Sequence, residues 1–171
     1  LSSLKKAREV AETLKKWILD GEFYVSKPVE LLPTYRELKP LKVRGIEPRV
    51  KDIMSKNVIT AKPSDNVQYV ANLIVRHGID HVPIVDEENR LVGIVTSWDI
   101  AKAVAQNKKS LQEVMTRRVI TAKQNEAIDV VAKRLSSYGI SGAPVVDEKN
   151  HVIGVVTTND LAKLLEGKGY L

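Results

Sequence analysis

Two short stretches of the chain place hydroxyl groups and a carboxylate at the start of a predicted helix. The stretches are GIVTSWDIAKA and GVVTTNDLAKL, and their polar groups are Thr96, Ser97 and Asp99 in the first and Thr157, Thr158 and Asp160 in the second. An ionised carboxylate accepts hydrogen bonds from two adjacent hydroxyls, such as those of a ribose, and charge-assisted bonds are stronger than neutral ones. The threonine and serine hydroxyls, with the unpaired helix amides, can hold a phosphate, a ligand carboxylate or a water.

The same spacing also fits a structural role that needs no ligand. Thr96 followed three residues later by Asp99 is the pattern of a capping box, in which each side chain bonds the other's backbone N–H group. For one copy alone, capping is the simpler interpretation. The two roles can coexist at one position.

The composition excludes several kinds of site. The 171 residues contain no cysteine, which removes disulfides, thiolate nucleophiles and cysteine-ligated metal or iron–sulfur sites. His77 and His81 are four residues apart, but Gly78 ends the predicted helix between them, so we predict no metal site. Nucleophile elbows, P-loops and dinucleotide glycine motifs do not occur in the sequence. We therefore predict no catalytic residues and no catalytic cofactor.

Charge and hydropathy argue against nucleic-acid and membrane partners. The formal net charge is +6, but the basic residues are mixed with acids and aromatic residues make up 5% of the chain, whereas nucleic-acid binding favours a continuous basic face with aromatics. No apolar run reaches the roughly 20 residues of a membrane helix. We expect a cytoplasmic protein and, since the sequence begins at Leu1 rather than Met, a piece of a longer one.

The chain contains an internal repeat with an offset of 61 residues. Gly78 aligns with Gly139, and Asp99 aligns with Asp160. Over residues 50–104 and 111–165, 21 of 55 aligned positions are identical, and no insertion separates the copies. The two copies are therefore expected to share one fold.

Each copy is predicted to follow the order strand, helix, strand, strand, helix. In the first copy, a leading strand Val58–Ala61 precedes an amphipathic helix ending at Gly78. A hairpin of Val82–Val85 and Leu91–Val95 comes next, and a second helix, Trp98–Gln106, closes the copy. The second copy gives a leading strand Val119–Ala122, a helix ending at Gly139, the hairpin APVVDEKNHVIGVVT and a helix Asn159–Glu166.

With this pattern the chain resembles tandem CBS domains, the paired unit also called a Bateman module. The matching features are the VITAK strand, the GIDHVPIVDEENRLVGIVT hairpin and the hydroxyl-x-x-Asp ending before a helix, and the second copy matches at each point. The resemblance implies an α/β (α+β) fold of two βαββα repeats packed as one pseudo-two-fold module. We predict a helix and linker at residues 1–49, repeat 1 at 50–108 and repeat 2 at 109–171.

The resemblance also implies ligands and a site. CBS pairs bind adenosine derivatives, including S-adenosylmethionine, methylthioadenosine, AMP, ADP and ATP, in clefts between the repeats, and they commonly form homodimers. The implied binding residues of repeat 1 are Ile59, Thr60, Ala61, Asp80, His81, Pro83, Thr96, Ser97 and Asp99. Those of repeat 2 are Ile120, Thr121, Ala122, Ser141, Gly142, Ala143, Pro144, Thr157, Thr158 and Asp160. Two copies of the hydroxyl-x-x-Asp pattern inside such a module favour ligand binding over capping alone.

The copies differ near the implied site. Gly142 and Ala143 replace His81 and Val82, which predicts a roomier second site. Trp98, replaced by an asparagine in the second copy, can stack on a ligand or partner, although a packed tryptophan is the more common arrangement. Most apolar side chains of the hairpin strands are expected to belong to the core.

The segment before the repeats carries a second resemblance. Residues 3–33, SLKKAREVAETLKKWILDGEFYVSKPVELLP, resemble the tail of an archaeal homocysteine-biosynthesis family whose members carry a C-terminal CBS pair. Leu4–Leu19 shows the apolar stripe of an amphipathic helix. This resemblance implies a regulatory end of a sulfur-metabolism enzyme, with an attached or partner enzyme domain.

The predicted function is therefore that of a regulatory, non-catalytic module that senses an adenosine derivative. Two alternatives stay open at this point. One is a structural dimerisation module with empty clefts, and the other is an inactive fragment of a homocysteine-forming enzyme.

Overall fold

The computed structural model of the chain describes residues 48–167, which contain six helical segments and four strands. The helical segments are α1 (Val50–Ile53), α2 (Val67–His77), α3 (Ser97–Ala105), a 3-10 turn (Leu111–Glu113), α4 (Ile128–Tyr138) and α5 (Thr158–Gly167). The strands are β1 (His81–Val85), β2 (Leu91–Thr96), β3 (Gly142–Val146) and β4 (Val152–Thr157). The predicted helix Leu4–Leu19 lies outside the described residues. No helix within 48–167 is long and apolar enough to cross a membrane.

Both predicted hairpins are confirmed. β1 and β2 form one two-stranded sheet, and β3 and β4 form the other. In the first sheet the strands run antiparallel, with His81 opposite Thr96 and an irregularity between Ile84 and Val85. Each hairpin leads directly into a helix, because Thr96 and Thr157 end their strands where α3 and α5 begin.

The leading strands are shorter than the sequence predicted. Within Val58–Ala61 the structure has one parallel bridge, between Ala61 and Ile84, and in the second copy one bridge between Ala122 and Val145. The β-branched residues predict a strand of four, but only Ala61, and Ala122 in the second copy, pairs with a neighbouring strand. Each hairpin therefore forms a two-stranded sheet with one bridging residue beside it.

Helix α2 starts at a capping asparagine, and both α2 and α4 end at a glycine. Asn66 caps α2, since its side-chain oxygen accepts a hydrogen bond from the Tyr69 N–H group at 2.8 Å. Gly78 and Gly139 follow α2 and α4 with φ of 61° and 62°, the left-handed conformation that glycine adopts without steric cost. The apolar stripe of α2 is buried at Val67 and Val70, whereas Val75 is 83% exposed.

The hairpin turns follow one design in both copies. Asn89 and Asn150 have φ of 62° and 67°, which asparagine tolerates better than most residues. Asn89 Nδ2 donates to the Val152 carbonyl at 3.1 Å, and Asn150 Nδ2 donates to the Leu91 carbonyl at 3.0 Å. The two turns therefore hold each other through reciprocal hydrogen bonds.

A carboxylate closes each turn. Asp86 Oδ1 accepts the N–H group of Arg90 at 2.9 Å, and Asp147 Oδ1 accepts that of His151 at 2.8 Å. These backbone hydrogen bonds favour the ionised carboxylates and hold the pKa of both Asp86 and Asp147 below the ordinary value.

By contacts, the described residues divide into two units. The first comprises residues 48–54, 125–142 and 156–167, and the second comprises 55–124 and 143–155. In the first unit, α5 contacts both α1 and α4. Its buried apolar side chains are Val50, Ile128, Val131, Ala132, Leu135, Val156 and Leu161.

The second unit has two hydrophobic clusters. The larger one joins α2, the β1–β2 hairpin, α3 and the residues around the 3-10 turn, and it consists of Ala61, Val67, Val70, Val82, Ile84, Val95, Ala103, Leu111 and Met115. The smaller one lies under the two turns and consists of Val85, Val146 and Val152. The larger cluster therefore fixes β2 and α3, the two elements that meet at Thr96.

Candidate ligand-binding site

The capping box predicted at Thr96 and Asp99 is present. Asp99 Oδ2 accepts hydrogen bonds from the Thr96 N–H group and from Thr96 Oγ1, both at 2.9 Å. The Asp99 N–H group donates to Thr96 Oγ1 at 3.3 Å. These bonds satisfy orphan donors at the start of α3 and hold the carboxylate in one orientation.

The second copy repeats this geometry at Thr157 and Asp160. Asp160 Oδ2 accepts the Thr157 N–H group at 2.8 Å and Thr157 Oγ1 at 3.0 Å. The Asp160 N–H group donates to Thr157 Oγ1 at 3.3 Å. Both carboxylates therefore use Oδ2 for the box, which leaves Oδ1 as the atom that can serve a ligand.

The two Oδ1 atoms have different surroundings. Lys102 Nζ lies 3.0 Å from Asp99 Oδ1, and the Asp99 side chain is only 9% exposed. Asp160 is half-buried, and the structure gives its Oδ1 no hydrogen-bond or ion-pair partner among the described residues. The equivalent lysine, Lys163, is exposed and makes no ion pair within residues 48–167.

Lys102 is a residue that the sequence reasoning missed. It lies three positions after Asp99 on the same helix, and such pairs face each other. The spacing was therefore a usable signal, but Lys163 has the same spacing from Asp160. Spacing alone does not tell which of the two lysines forms the pair.

Repeat 1 also brings Asp80 and His81 to the same corner. The Ser97 N–H group donates to the Asp80 carbonyl at 3.1 Å, and Ser97 Oγ donates to Asp80 Oδ1 at 2.9 Å. Burial lowers the pKa of His81, and the carboxylates of Asp80 and Asp99 oppose this shift. The site in repeat 1 therefore has a partly buried imidazole near two carboxylates.

The corresponding corner of repeat 2 is simpler. The Thr158 N–H group donates to the Ser141 carbonyl at 2.9 Å, as Ser97 does to Asp80 in repeat 1. Gly142 follows Ser141 in the position of His81, and it is buried. Repeat 2 thus keeps the backbone contact and lacks the imidazole.

The leading segments lie beside the hairpin strands. The Ala61 N–H group donates to the Pro83 carbonyl at 3.1 Å, and the Ala122 N–H group donates to the Pro144 carbonyl at 2.9 Å. Five of the predicted site residues are buried and belong to the core, namely Ala61, Pro83, Ala122, Ala143 and Pro144.

The remaining predicted site residues are partly accessible. They are half-buried side chains on the leading segments, namely Ile59, Thr60, Ile120 and Thr121. Trp98 is 50% exposed, so the expectation of a packed tryptophan was wrong. The polar residue at the equivalent position of the second copy, Asn159, was a usable signal for an exposed position, and Asn159 is exposed as well.

The arrangement suits binding rather than bond-breaking chemistry. Asp99 and Asp160 are held by neighbouring hydroxyl and amide groups, and such a carboxylate is a fixed acceptor rather than a mobile base. Within residues 48–167 no group of three or more histidine, aspartate and glutamate side chains is placed to hold a metal ion.

Curated relatives match nearly the whole chain. L-aspartate semialdehyde sulfurtransferases from Methanocaldococcus jannaschii and Methanosarcina acetivorans are 52% and 42% identical over 168 and 166 residues. These alignments cover 98% and 96% of this chain but 32% and 33% of the relatives, so the chain spans about a third of their length. A homoserine O-acetyltransferase from Methanohalobium evestigatum is 39% identical over 117 residues, which are 68% of this chain and 24% of that protein.

Solved structures share the fold. The CBS domain pair of protein MJ0100, crystallised in complex with 5′-methylthioadenosine and S-adenosyl-L-methionine, is 52% identical with a TM-score of 0.70, covering 72% of this chain and 99% of that one. Protein MJ1225 from Methanocaldococcus jannaschii is 30% identical with a TM-score of 0.62, covering 70% and 48%. The family model for the CBS domain matches residues 50–106 and 111–167. The chain belongs to the CBS domain family and carries two CBS domains in tandem.

Proposed function

We propose that this chain is a regulatory module that binds an adenosine derivative through the carboxylates of Asp99 and Asp160. The observation that carries the proposal is the orientation of these two side chains. Each is fixed by a threonine through Oδ2, so that Oδ1 can accept the ribose hydroxyls. A ligand that binds a preoriented acceptor loses less affinity to ordering of the site.

The sulfur-containing ligands S-adenosylmethionine and methylthioadenosine are the preferred candidates. The MJ0100 CBS pair in complex with both compounds is 52% identical to this chain, and 99% of that chain is covered. CBS structures with AMP and with ATP are 23% and 24% identical, and at that distance they support the fold alone. The nucleotides AMP, ADP and ATP therefore serve as competing ligands in the test.

The regulated activity is proposed to be that of an attached sulfur-metabolism enzyme. The similarity to the sulfurtransferases extends over 168 residues, so it includes most of the segment before the CBS domains, whereas the homoserine O-acetyltransferase matches over 117. A ligand can shift the arrangement of the module only if it binds one arrangement more tightly than another. A homodimer and a cytoplasmic location stay predictions.

Calorimetric titration with methylthioadenosine, S-adenosylmethionine, AMP and ATP tests the proposal. We expect micromolar binding of a sulfur-containing ligand, and a loss of about tenfold or more in Asp160→Asn, since a charge-assisted pair of hydrogen bonds contributes roughly 1.5–3 kcal/mol each. Asp129→Asn, which removes a carboxylate from the first turn of α4, is the matched control and should bind like the wild type.

The other outcomes separate the alternatives. If AMP or ATP binds more tightly than methylthioadenosine and S-adenosylmethionine, the proposed ligand is a nucleotide and not a sulfur-containing compound. The absence of heat with all four compounds would contradict the ligand-sensing proposal and favour a dimerisation module. Sulfur-transfer activity of the chain alone would contradict a non-catalytic module.

A further inference from the structure

The two carboxylates of the capping boxes differ in an ion pair. Lys102 Nζ lies 3.0 Å from Asp99 Oδ1, while Asp99 Oδ2 is engaged by Thr96. Both oxygens of Asp99 therefore have a partner within the chain. Asp160 uses Oδ2 in the same way, but its Oδ1 has no partner among the residues that the structure describes.

We propose that Lys102 is an internal competitor for the first ligand site and thereby determines which repeat binds first. At Asp99 the lysine competes with the ribose hydroxyls for the lone pairs of Oδ1, whereas Asp160 Oδ1 has no such competitor among the described residues. The proposal rests on the proposed function, because it assumes that these carboxylates receive the ribose hydroxyls. Repeat 2 is then the high-affinity site and repeat 1 the weaker one.

The burial of the two partners supports displacement rather than permanent closure. The Asp99 side chain is 9% exposed and the Lys102 side chain is 46% exposed. The lysine head can therefore swing into water on its flexible stem at modest cost. The carboxylate is buried but the ammonium is exposed, and the ribose hydroxyls replace the partner that Asp99 loses, so we expect the competition to change the affinity of repeat 1 by about two- to fivefold.

Ligand charge offers a second consequence. An anionic group on the ligand can attract the displaced ammonium, whereas a sulfonium group repels it. S-adenosylmethionine has a net positive charge, because its amino group and carboxylate cancel and the sulfonium remains, and it should therefore be disfavoured at repeat 1 relative to the uncharged methylthioadenosine. Repeat 2, where Lys163 forms no ion pair with Asp160, should discriminate less between them.

The test uses methylthioadenosine as the probe, because an uncharged ligand does not respond directly to the loss of a lysine charge. In an Asp160→Asn background, which reports on repeat 1, Lys102→Met should tighten binding by about two- to fivefold. Lys102→Arg preserves the charge and should bind like the background. Lys163→Met in an Asp99→Asn background is the matched control for repeat 2 and should change nothing.

The salt dependence of binding distinguishes an electrostatic role of Lys102 from a purely structural one. Raising the salt concentration from 0.1 to 1 M shortens the screening length from about 10 to about 3 Å. The gain in affinity for methylthioadenosine that Lys102→Met produces should therefore be smaller at high salt. A change in folding alone would weaken binding rather than tighten it.

The outcomes distinguish failure of this inference from failure of the proposed function. If the wild-type chain binds methylthioadenosine but Lys102→Met leaves repeat 1 unchanged or weaker, the competition is refuted and the ligand-sensing function stands. If repeat 1 shows no binding with or without Lys102, the inference is likewise refuted. If the wild type binds none of the adenosyl compounds, the proposed function itself is wrong.

Discussion

Replacing Thr96 by valine should destabilise the chain through loss of one hydroxyl. Valine keeps the shape of threonine, and the bond from the backbone N–H group of residue 96 to Asp99 Oδ2, 2.9 Å long, needs no side chain. What disappears is the hydroxyl that donates to Asp99 Oδ2 at 2.9 Å and accepts the Asp99 N–H group at 3.3 Å. The substitution thus tests the capping hydroxyl with the smallest change of packing.

The expected cost follows from the type and exposure of these bonds. Loss of an N-cap hydroxyl typically costs about 1 kcal/mol, and a hydrogen bond to a charged group contributes about 1.5–3 kcal/mol. Thr96 is half-buried, so water partly replaces the lost partner. We expect a decrease of about 1–2 kcal/mol in the free energy of unfolding, or a Tm lowered by roughly 2–8 °C.

Urea and thermal unfolding measure this effect, and the second copy supplies an internal check. Thr157 makes the same bonds to Asp160 at 3.0 and 3.3 Å, so Thr157→Val should cost a similar amount. Thr96→Ser and Thr157→Ser retain the hydroxyl and should stay close to wild type. If both valine variants are as stable as the serine variants, the boxes do not hold the carboxylates and the reasoning fails.

Two further perturbations test the packing and the titration of the same region. In Gly93→Ala the new Cβ would lie 3.1 Å from Met115 Sδ and 3.2 Å from the Thr116 carbonyl oxygen. Because that carbonyl accepts the Ile94 N–H group at 2.9 Å and is held in place, we expect the free energy of unfolding, measured with urea, to fall by about 1–3 kcal/mol. Wild-type stability of the variant would contradict the close approach. Because burial lowers the pKa of His81, the unfolded chain takes up a proton at higher pH than the folded chain does. The stability contributed by neutral His81 is therefore present above pH 6.5 and is lost as pH falls below it. Unfolding of the wild type and of His81→Gln at pH 7.5 and 5.5 should show the smaller loss in the variant, and equal losses would show that His81 is solvated in the folded chain.

Local sequence rules predicted the elements that position the site. Gly78 ends α2 because a residue after the helix must adopt a left-handed conformation, and the residue type itself reports this. The repeat extended each such conclusion to the second copy, as at Gly139. The capping boxes were also readable, since the bond from Thr96 to Asp99 depends on a spacing of three residues.

The features that the sequence did not predict depend on tertiary packing. Val58–Ala61 is rich in strand-forming residues, yet only Ala61 bridges Ile84, because pairing is decided by where the neighbouring backbone lies. Val75 continues the apolar stripe of α2 and is 83% exposed. The pairing of Lys102, and not Lys163, with its aspartate is likewise invisible in two copies that share the same spacing.

A crystal structure of the chain with methylthioadenosine tests the central claim most directly. The claim is that the fixed carboxylates bind the ribose of an adenosyl ligand. We predict both ribose hydroxyls within hydrogen-bond distance of Asp160, about 2.5–3.0 Å from its oxygens. At repeat 1 the same contact to Asp99 should appear only with Lys102 displaced. A ligand bound away from both aspartates would contradict the claim.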